Sequence, residues 1–284
     1  MSISAAATDN ASVIDSSGAE SLRARYTALA AQLDRNQFQR PLYLDSMESS
    51  GNSKGDIYAS IDYPFAVVNT ALDSPAHWCD VLILHLNTKY CHATTSRNGT
   101  VLAVNIGTKH DQALEDAYRV QFNYNLTAAT PDYYRVQLDA DKGPMSTSNF
   151  RISMEAVSIN NRQTFIHLTY SFAYGFAGRI AMKAYLATIG SGKVGFTVVG
   201  KKQNGQNEYI GGIRGLVERN TMRYYLAIDA YLSAVSAPPA EQLEKRLQTW
   251  FSATEQYARQ LHEVDRTAYL DMKRNEFLRQ QTAQ

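Results

Sequence analysis

The sequence predicts an α+β protein in which an antiparallel sheet, covered on one face, is closed by a long helix towards the carboxy terminus. Three observations predict it. Four stretches alternate apolar and polar residues with period two, the pattern of strands with one buried and one wet face. The segment Gly211 to Val235, GGIRGLVERNTMRYYLAIDAYLSAV, repeats apolar residues at three- and four-residue steps. The strands follow one another before that helix instead of alternating with helices, which argues against a βαβ enzyme.

Met1 to about Ala19 is small and polar, with almost nothing to bury, and is expected to be disordered. From Glu20, the spacing of Leu22, Tyr26, Leu29 and Leu33 predicts a helix with a narrow seam. Pro41 ends it, and the Ser/Gly/Asn-rich stretch Ser46 to Ser53 reads as a linker, so 20–54 forms a helix and linker. The main domain then spans 55–237. Its first strand is IYASID, and Pro64 suits the first turn of a helix running to about Leu72. Ser74 reads as an N-cap and Pro75 as the first residue of a second helix, with Trp78, Val81, Leu82 and His85 on one side.

Thr88 to Thr95 and Thr100 to Gly107 flank Arg97-Asn98-Gly99, and Asn-Gly is a strong hairpin signal. Tyr118, Val120, Phe122, Tyr124 and Leu126 face one way, while Arg119, Gln121, Asn123 and Asn125 face the other. Tyr134, Val136 and Leu138 repeat the pattern after the Pro131-Asp132 turn. So do Phe150 to Ala156 and Ile166 to Phe172. A short helix over Phe176 to Ile189 and a strand over Val194 to Val199 precede the long helix. On that helix Ile213, Leu216, Val217, Asn220, Tyr224, Ala227, Ile228, Tyr231 and Val235 share one face, with Arg214, Glu218 and Asp229 largely elsewhere. After Pro238-Pro239, the residues Leu247, Trp250, Thr254, Tyr257, Leu261, Val264 and Ala268 form a heptad seam, so 238–284 is expected to be a helix. The amino-terminal helix has the same spacing, and the two are expected to pack together outside the main domain.

The 28 basic and 27 acidic residues nearly cancel, so there is no electrostatic case for nucleic acid. No apolar stretch approaches the roughly 18 residues of a membrane span. Transient membrane contact and an oligomer through the carboxy-terminal helix stay open. So does the compartment, cytoplasmic or periplasmic. Cys79 and Cys91 could not bridge on one continuous helix, where they would lie about 18 Å apart; a chain reversal near Leu86 would allow it.

The front segment GDIYASIDYPFAVVNTALDSPAHWCDVL and the back segment GGIRGLVERNTMRYYLAIDAYL resemble, in their order of elements, the START-like (SRPBCC) helix-grip superfamily. That superfamily includes the birch-pollen allergens and lipid-binding and cyclase domains. The resemblance covers Gly55 to Val235, and its motifs are topological. The segment Phe176 to Gly200 and both helical extensions depart from the simplest version. It implies a helix-grip α+β fold, a curved antiparallel sheet wrapped around a long carboxy-terminal helix, with extra helices at both ends. It also implies a cavity between sheet and helix for a hydrophobic small molecule or lipid.

The expected ligand-lining set is Leu216, Val217, Asn220, Arg223 and Tyr224 on the long helix, with His85, Phe122, Tyr124, Met154 and Tyr170 opposite. Asn220 is the polar interruption of the apolar face and needs a partner, either a ligand head group or a neighbouring protein group. Arg223 lies beside that face, where an ion pair with Glu218, a solvated position and an anion such as a lipid phosphate are the readings. His77, His85 and His92 with Cys79 and Cys91 lack the convergent short spacing of a zinc site, so no metal and no cofactor is expected. Gly190-Ser191-Gly192-Lys193 lacks the Ser or Thr of a phosphate-binding loop. His167 and Glu155 should face solvent, Glu155 opposite Arg151 or another neighbour. No Ser-His-Asp order and no Gly-x-Ser-x-Gly elbow is present, so no catalytic residue is assigned. The leading expectation is a non-enzymatic carrier or sensor of a lipid-like molecule. A cyclase- or hydrolase-type enzyme and a scaffold using the carboxy-terminal helix are the alternatives.

Overall fold

The alternating stretches pair into one sheet. The structure, a computed structural model, describes residues 6–188 and 190–282. Helices α1 (Ala6–Ala28) and α2 (Ala30–Asp34) lead into strands β1 (Leu42–Ser49) and β2 (Asn52–Ile61). Helices α3 (Phe65–Leu72) and α4 (Pro75–Leu82) follow, and then strands β3 (Thr88–Ser96), β4 (Gly99–Ile106), β5 (Tyr118–Ala129), β6 (Tyr133–Gly143), β7 (Thr147–Ser158) and β8 (Thr164–Tyr174). Among the described residues these make an eight-stranded antiparallel sheet of order β1-β2-β8-β7-β6-β5-β4-β3. The chain thus leaves β2, crosses to the far edge through α3 and α4, and returns hairpin by hairpin to lie beside β2.

The local signals act as expected. Ser74 Oγ accepts from the Ala76 amide at 3.3 Å, and Pro75 opens α4, where its missing amide costs nothing. Ser96 pairs with Gly99 around the predicted turn. One inner face carries the cross-strand row Tyr124, Leu138, Ile152 and Tyr170, and beside it Leu126, Val136, Met154, Leu168 and Ile57.

The reversal after α4 brings Cys79 and Cys91 to a Cα separation of 5.2 Å as a disulfide. Closing that short loop restricts the unfolded chain. The double substitution Cys79→Ala/Cys91→Ala is therefore expected to cost about 3 kcal/mol. Calorimetry should show the transition lowered by roughly 5–10 °C. An unchanged transition, or two alkylatable thiols in the unreduced protein, would contradict the bridge.

Beyond β8 come α5 (Phe176–Ala187), a hairpin of β9 (Val198–Lys201) and β10 (Asn207–Tyr209), and the long helix α6 (Gly212–Ser233). Ile189, the expected last residue of the α5 helix, lies outside the described residues. The strand expected over Val194 to Val199 begins only at Val198. The Phe196 and Thr197 amides donate to Glu218 at 2.5 and 2.9 Å and so are unavailable to a ladder. Helix α6 lies against β2, β1, β8 and α4. Gly55 permits that approach, since a Cβ there would collide with the Thr221 side chain.

Five expectations about organisation need correction. Residues 1–5 of the stretch expected to be disordered lie outside the described residues, and the backbone is helical from Ala6. Leu22, Leu29 and Leu33 do not meet the tail; they pack on the outer sheet face against Tyr133, Val157 and Phe165. The apolar doublets Tyr133-Tyr134, Ala156-Val157 and Phe165-Ile166 break the alternation there, so the sheet is covered on both faces at that end. The supposed linker is β1, an added edge strand whose Leu42 and Leu44 point into the main core. Finally, the tail folds back as α7 (Pro239–Glu255), α8 (Ala258–Leu261) and α9 (Arg266–Thr282). Leu247, Trp250 and Leu261 of the heptad seam are buried in this chain's own core, and Ala268 is exposed. Because α7 covers its back, α6 is buried on nearly every side, and its acidic residues find partners: Asp229 meets Arg40 at 2.7 Å, and Glu218 accepts from Ser46 Oγ at 2.5 Å. No described helix is long and apolar enough to cross a membrane.

Candidate functional site

The inward stripe of α6 is sealed except at its middle. Val217, Ile228 and Tyr231 are 0–3% exposed, and Phe122, Val136, Leu138, Met154 and Leu168 opposite them are 0–2% exposed. Asn220 and Tyr224, between Val217 and Ile228, are only half-buried. Both sit on the stripe of α6 that also carries the sealed Val217, Ile228 and Tyr231. The Tyr224 ring lies 4.9 Å from His85 and 5.4 Å from Tyr170. From Tyr170 an aromatic row continues through Phe150 at 5.9 Å and Phe172 at 5.4 Å to Tyr174 at 6.1 Å. Tyr174 Oη donates to Glu48 at the sheet's end.

The polar atoms of this wall are neutral. Burial raises the Tyr170 and Tyr224 phenols well above their ordinary range. Burial, reinforced by the Arg223 and Lys273 cations, holds the His85 imidazole far below its usual range. Its Nδ1 accepts from the Asn87 amide at 3.2 Å, which leaves Nε2 as the protonated nitrogen. Asn220 neighbours both His85 and Tyr170, and its amide acts on each against the effect of burial.

Beside this wall lies a cluster of cations. Arg223, 1% exposed, donates to Glu263 at 2.8 Å and reaches Asn220 Oδ1 at 3.4 Å. Glu263 also meets Lys109 at 2.7 Å and Lys193 at 3.2 Å. Against the effect of burial, Arg223, Lys109 and Lys193 hold the Glu263 carboxyl below its ordinary range. Burial lowers Lys109 to about 8 despite Glu263. Arg219, one turn before Arg223, is buried and lowered to about 10 by desolvation and by Arg223.

Of the expected lining residues, the structure gathers Asn220, Tyr224, His85, Tyr170 and Arg223. Leu216 is buried, 8% exposed. Val217, Phe122 and Met154 are packed into the main core. Tyr124 shares the Tyr170 row but lies three strands away, roughly 14 Å across the sheet. Its hydroxyl donates to the Asp73 carbonyl. Arg223 pairs with Glu263 and is not solvated; Glu218 points to the other flank of α6. Lys193 of the glycine-rich turn binds the His262 carbonyl and Glu263, a structural use.

His167 and Glu155 lie on the outer sheet face as expected but are only partly solvated, with side chains 17% and 24% exposed. His167 lies between Asp56 at 2.8 Å and Glu155 at 3.3 Å and stacks on Tyr58 at 4.1 Å. Against burial, the two carboxylates raise its pKa. Arg151 pairs instead with Asp139. Lys109, Glu263 and Arg219 did not enter the expected set. For Arg219 the signal was present: like charges four residues apart on one helix flank repel unless something neutralises them.

Strand β2 lies beside β8, the last strand of the sheet, α3 and α4 carry the chain from β2 to the far edge, and the long helix packs against β1, β2 and β8. The fold is a helix grip. No family model and no curated protein matches the sequence. Among solved structures the helix grip is similar to norcoclaurine synthase from Thalictrum flavum, at 10% identity over 52% of this chain and 78% of that one, with a TM-score of 0.33. It is also similar to a conserved protein from Geobacillus kaustophilus, at 11% identity over 63% and 95%, with a TM-score of 0.36. An aromatase/cyclase from a Streptomyces strain matches at 10% identity over 76% and 96%, with a TM-score of 0.32. The helix grip itself follows from the strand order and not from these distant likenesses.

Proposed function

We propose that the protein binds a hydrophobic, lipid-like small molecule between the concave sheet face and α6, as a carrier or sensor. The observation that carries this reading is the accessible surface of Asn220 and Tyr224, in the middle of an otherwise sealed stripe and continuous with an aromatic row leading outward. Aromatic walls with a few placed polar groups suit a ligand that is apolar along its length and polar at one end. Burying about 400 Å² of ligand apolar area would contribute roughly 10 kcal/mol gross. Ordering and association costs would reduce that to an affinity near the micromolar range.

Native mass spectrometry of the purified protein, solvent extraction, and titration with a fluorescent fatty-acyl probe test it. Asn220→Phe fills the gap and should weaken the probe at least ten-fold, about 1.4 kcal/mol, with the thermal transition as control for folding. Protein that carries no lipid and takes up no probe ends the proposal.

A cyclase- or hydrolase-type enzyme is the second reading, favoured by the convergence of Asn220, neutral His85 and two phenols on one gap. Turnover of a hydrophobic substrate lost in His85→Gln but retained in Tyr124→Phe would select it. The scaffold reading loses its basis, because the heptad seam is occupied by this chain's own core.

A further inference from the structure

The Arg219 guanidinium is 2% exposed, its Nη1 is buried without a hydrogen bond, and no carboxylate pairs with it among the described residues. Arg223 beside it has its Nε buried and unpartnered as well. Four cations, Arg219, Arg223, Lys109 and Lys193, crowd around a single shared carboxylate, Glu263. Glu218 acts on Arg219 only at a distance and gives it no hydrogen bond, since its oxygens accept from Ser46, Phe196 and Thr197. Buried polar groups are almost always paired, and a buried cation without an anion is among the costliest exceptions.

The cluster lies on the flank of α6 beside Asn220. Arg223 reaches Asn220 on the inward stripe, and the Lys109 ammonium stands 6.0 Å from the Tyr185 ring on α5. We propose that Arg219 and Arg223, assisted by Lys109, bind the anionic group of the ligand, a carboxylate or a phosphate. This rests on the proposed hydrophobic binding and narrows it to acidic amphiphiles. Guanidinium groups suit such oxyanions because their planar donors engage two oxygens at once.

The experiment is calorimetric titration of the full chain with dodecanoate, dodecyl phosphate, dodecanol and inorganic phosphate, each with a thermal shift. Either acidic amphiphile should bind about 100-fold more tightly than the alcohol of equal chain length. R219M should reduce that ratio below about five-fold, and R219K should restore part of it. The ligand-free R219M protein should also melt above the native one, since it loses a buried unpaired charge. Equal affinity for acid and alcohol overturns the anion site and leaves the lipid reading intact. Inorganic phosphate raising the transition of the native protein but not of R219M, with no amphiphile bound, keeps the anion site as one for a free anion and removes the lipid reading. R219M melting below the native protein, with the acid preference unchanged, overturns the proposal outright.

Discussion

Truncation after Ala237 leaves a chain that no longer unfolds cooperatively. The tail supplies Leu247, Trp250, Phe251, Leu261, Tyr269 and Met272 to the main core. Trp250 Nε1 donates to the Arg223 carbonyl at 3.2 Å and its ring stacks on Tyr269 at 4.9 Å. Tyr269 Oη in turn donates to the Leu84 carbonyl. At roughly 1.5–3 kcal/mol for each buried large side chain, six of them contribute on the order of 10 kcal/mol. That is comparable with the whole net stability of a typical domain, about 5–15 kcal/mol. The cut also exposes the apolar back of α6 and removes Glu263 from Arg223 and Lys109. Near-ultraviolet dichroism and urea unfolding followed by tryptophan fluorescence should show lost tertiary signal with helical content partly retained. A cooperative transition at the native midpoint would show that the tail is an independent arm after all.

Glu276→Leu is the point substitution with the largest expected cost. The Glu276 carboxylate is fully buried and joins Lys89 at 2.9 Å to Lys273 at 2.7 Å. Both ammonium groups also donate to backbone carbonyls, Lys89 to Leu86 and His110, and Lys273 to His85 and Thr88. The three side chains thereby fasten α9 to the turn before β3. Removing the only anion leaves two buried cations, which should cost about 3–5 kcal/mol near neutral pH. The sign of the pH dependence is diagnostic. Burial already lowers Lys273 to about 8 in the native protein, while in an unfolded chain a lysine titrates at about 10.5. Between those values the unfolded chain holds more protons, so stability rises with pH. Loss of Glu276 depresses the folded-state value further and widens that window downward. Chemical denaturation at pH 7 and pH 9.5 should therefore show the gap between variant and native protein narrowing at the higher pH. An equal gap at both would assign the loss to packing and not to charge.

The buried ionic groups also explain what the residue pattern hides. Charged residues in a sequence are read by default as solvated, and here Lys89, Glu218, Arg219, Arg223, Lys273 and Glu276 are all buried. Lys89 and Lys273 owe their burial to residues more than 180 positions away or to carbonyls freed at a turn, and neither leaves a periodic trace. The same holds for the cation cluster beside the candidate site. Asn220 is legible because it interrupts an apolar stripe, whereas Glu263 is an ordinary acidic residue until α8 brings it to Arg223.

Local periodicity by itself determined the strands, their inward faces, the Asn-Gly hairpin, the Ser74-Pro75 helix start and the inward stripe of α6. Each depends on residues two to four positions apart, whose relative directions the backbone geometry dictates. Only the tertiary structure decided the Cys79–Cys91 pairing, the edge strand β1, the folding of the heptad seam onto its own domain, and the crowding of cations around Glu263. Those outcomes depend on which distant surfaces meet, and burial converts a charge from a favourable solvated group into one that must find an opposite charge.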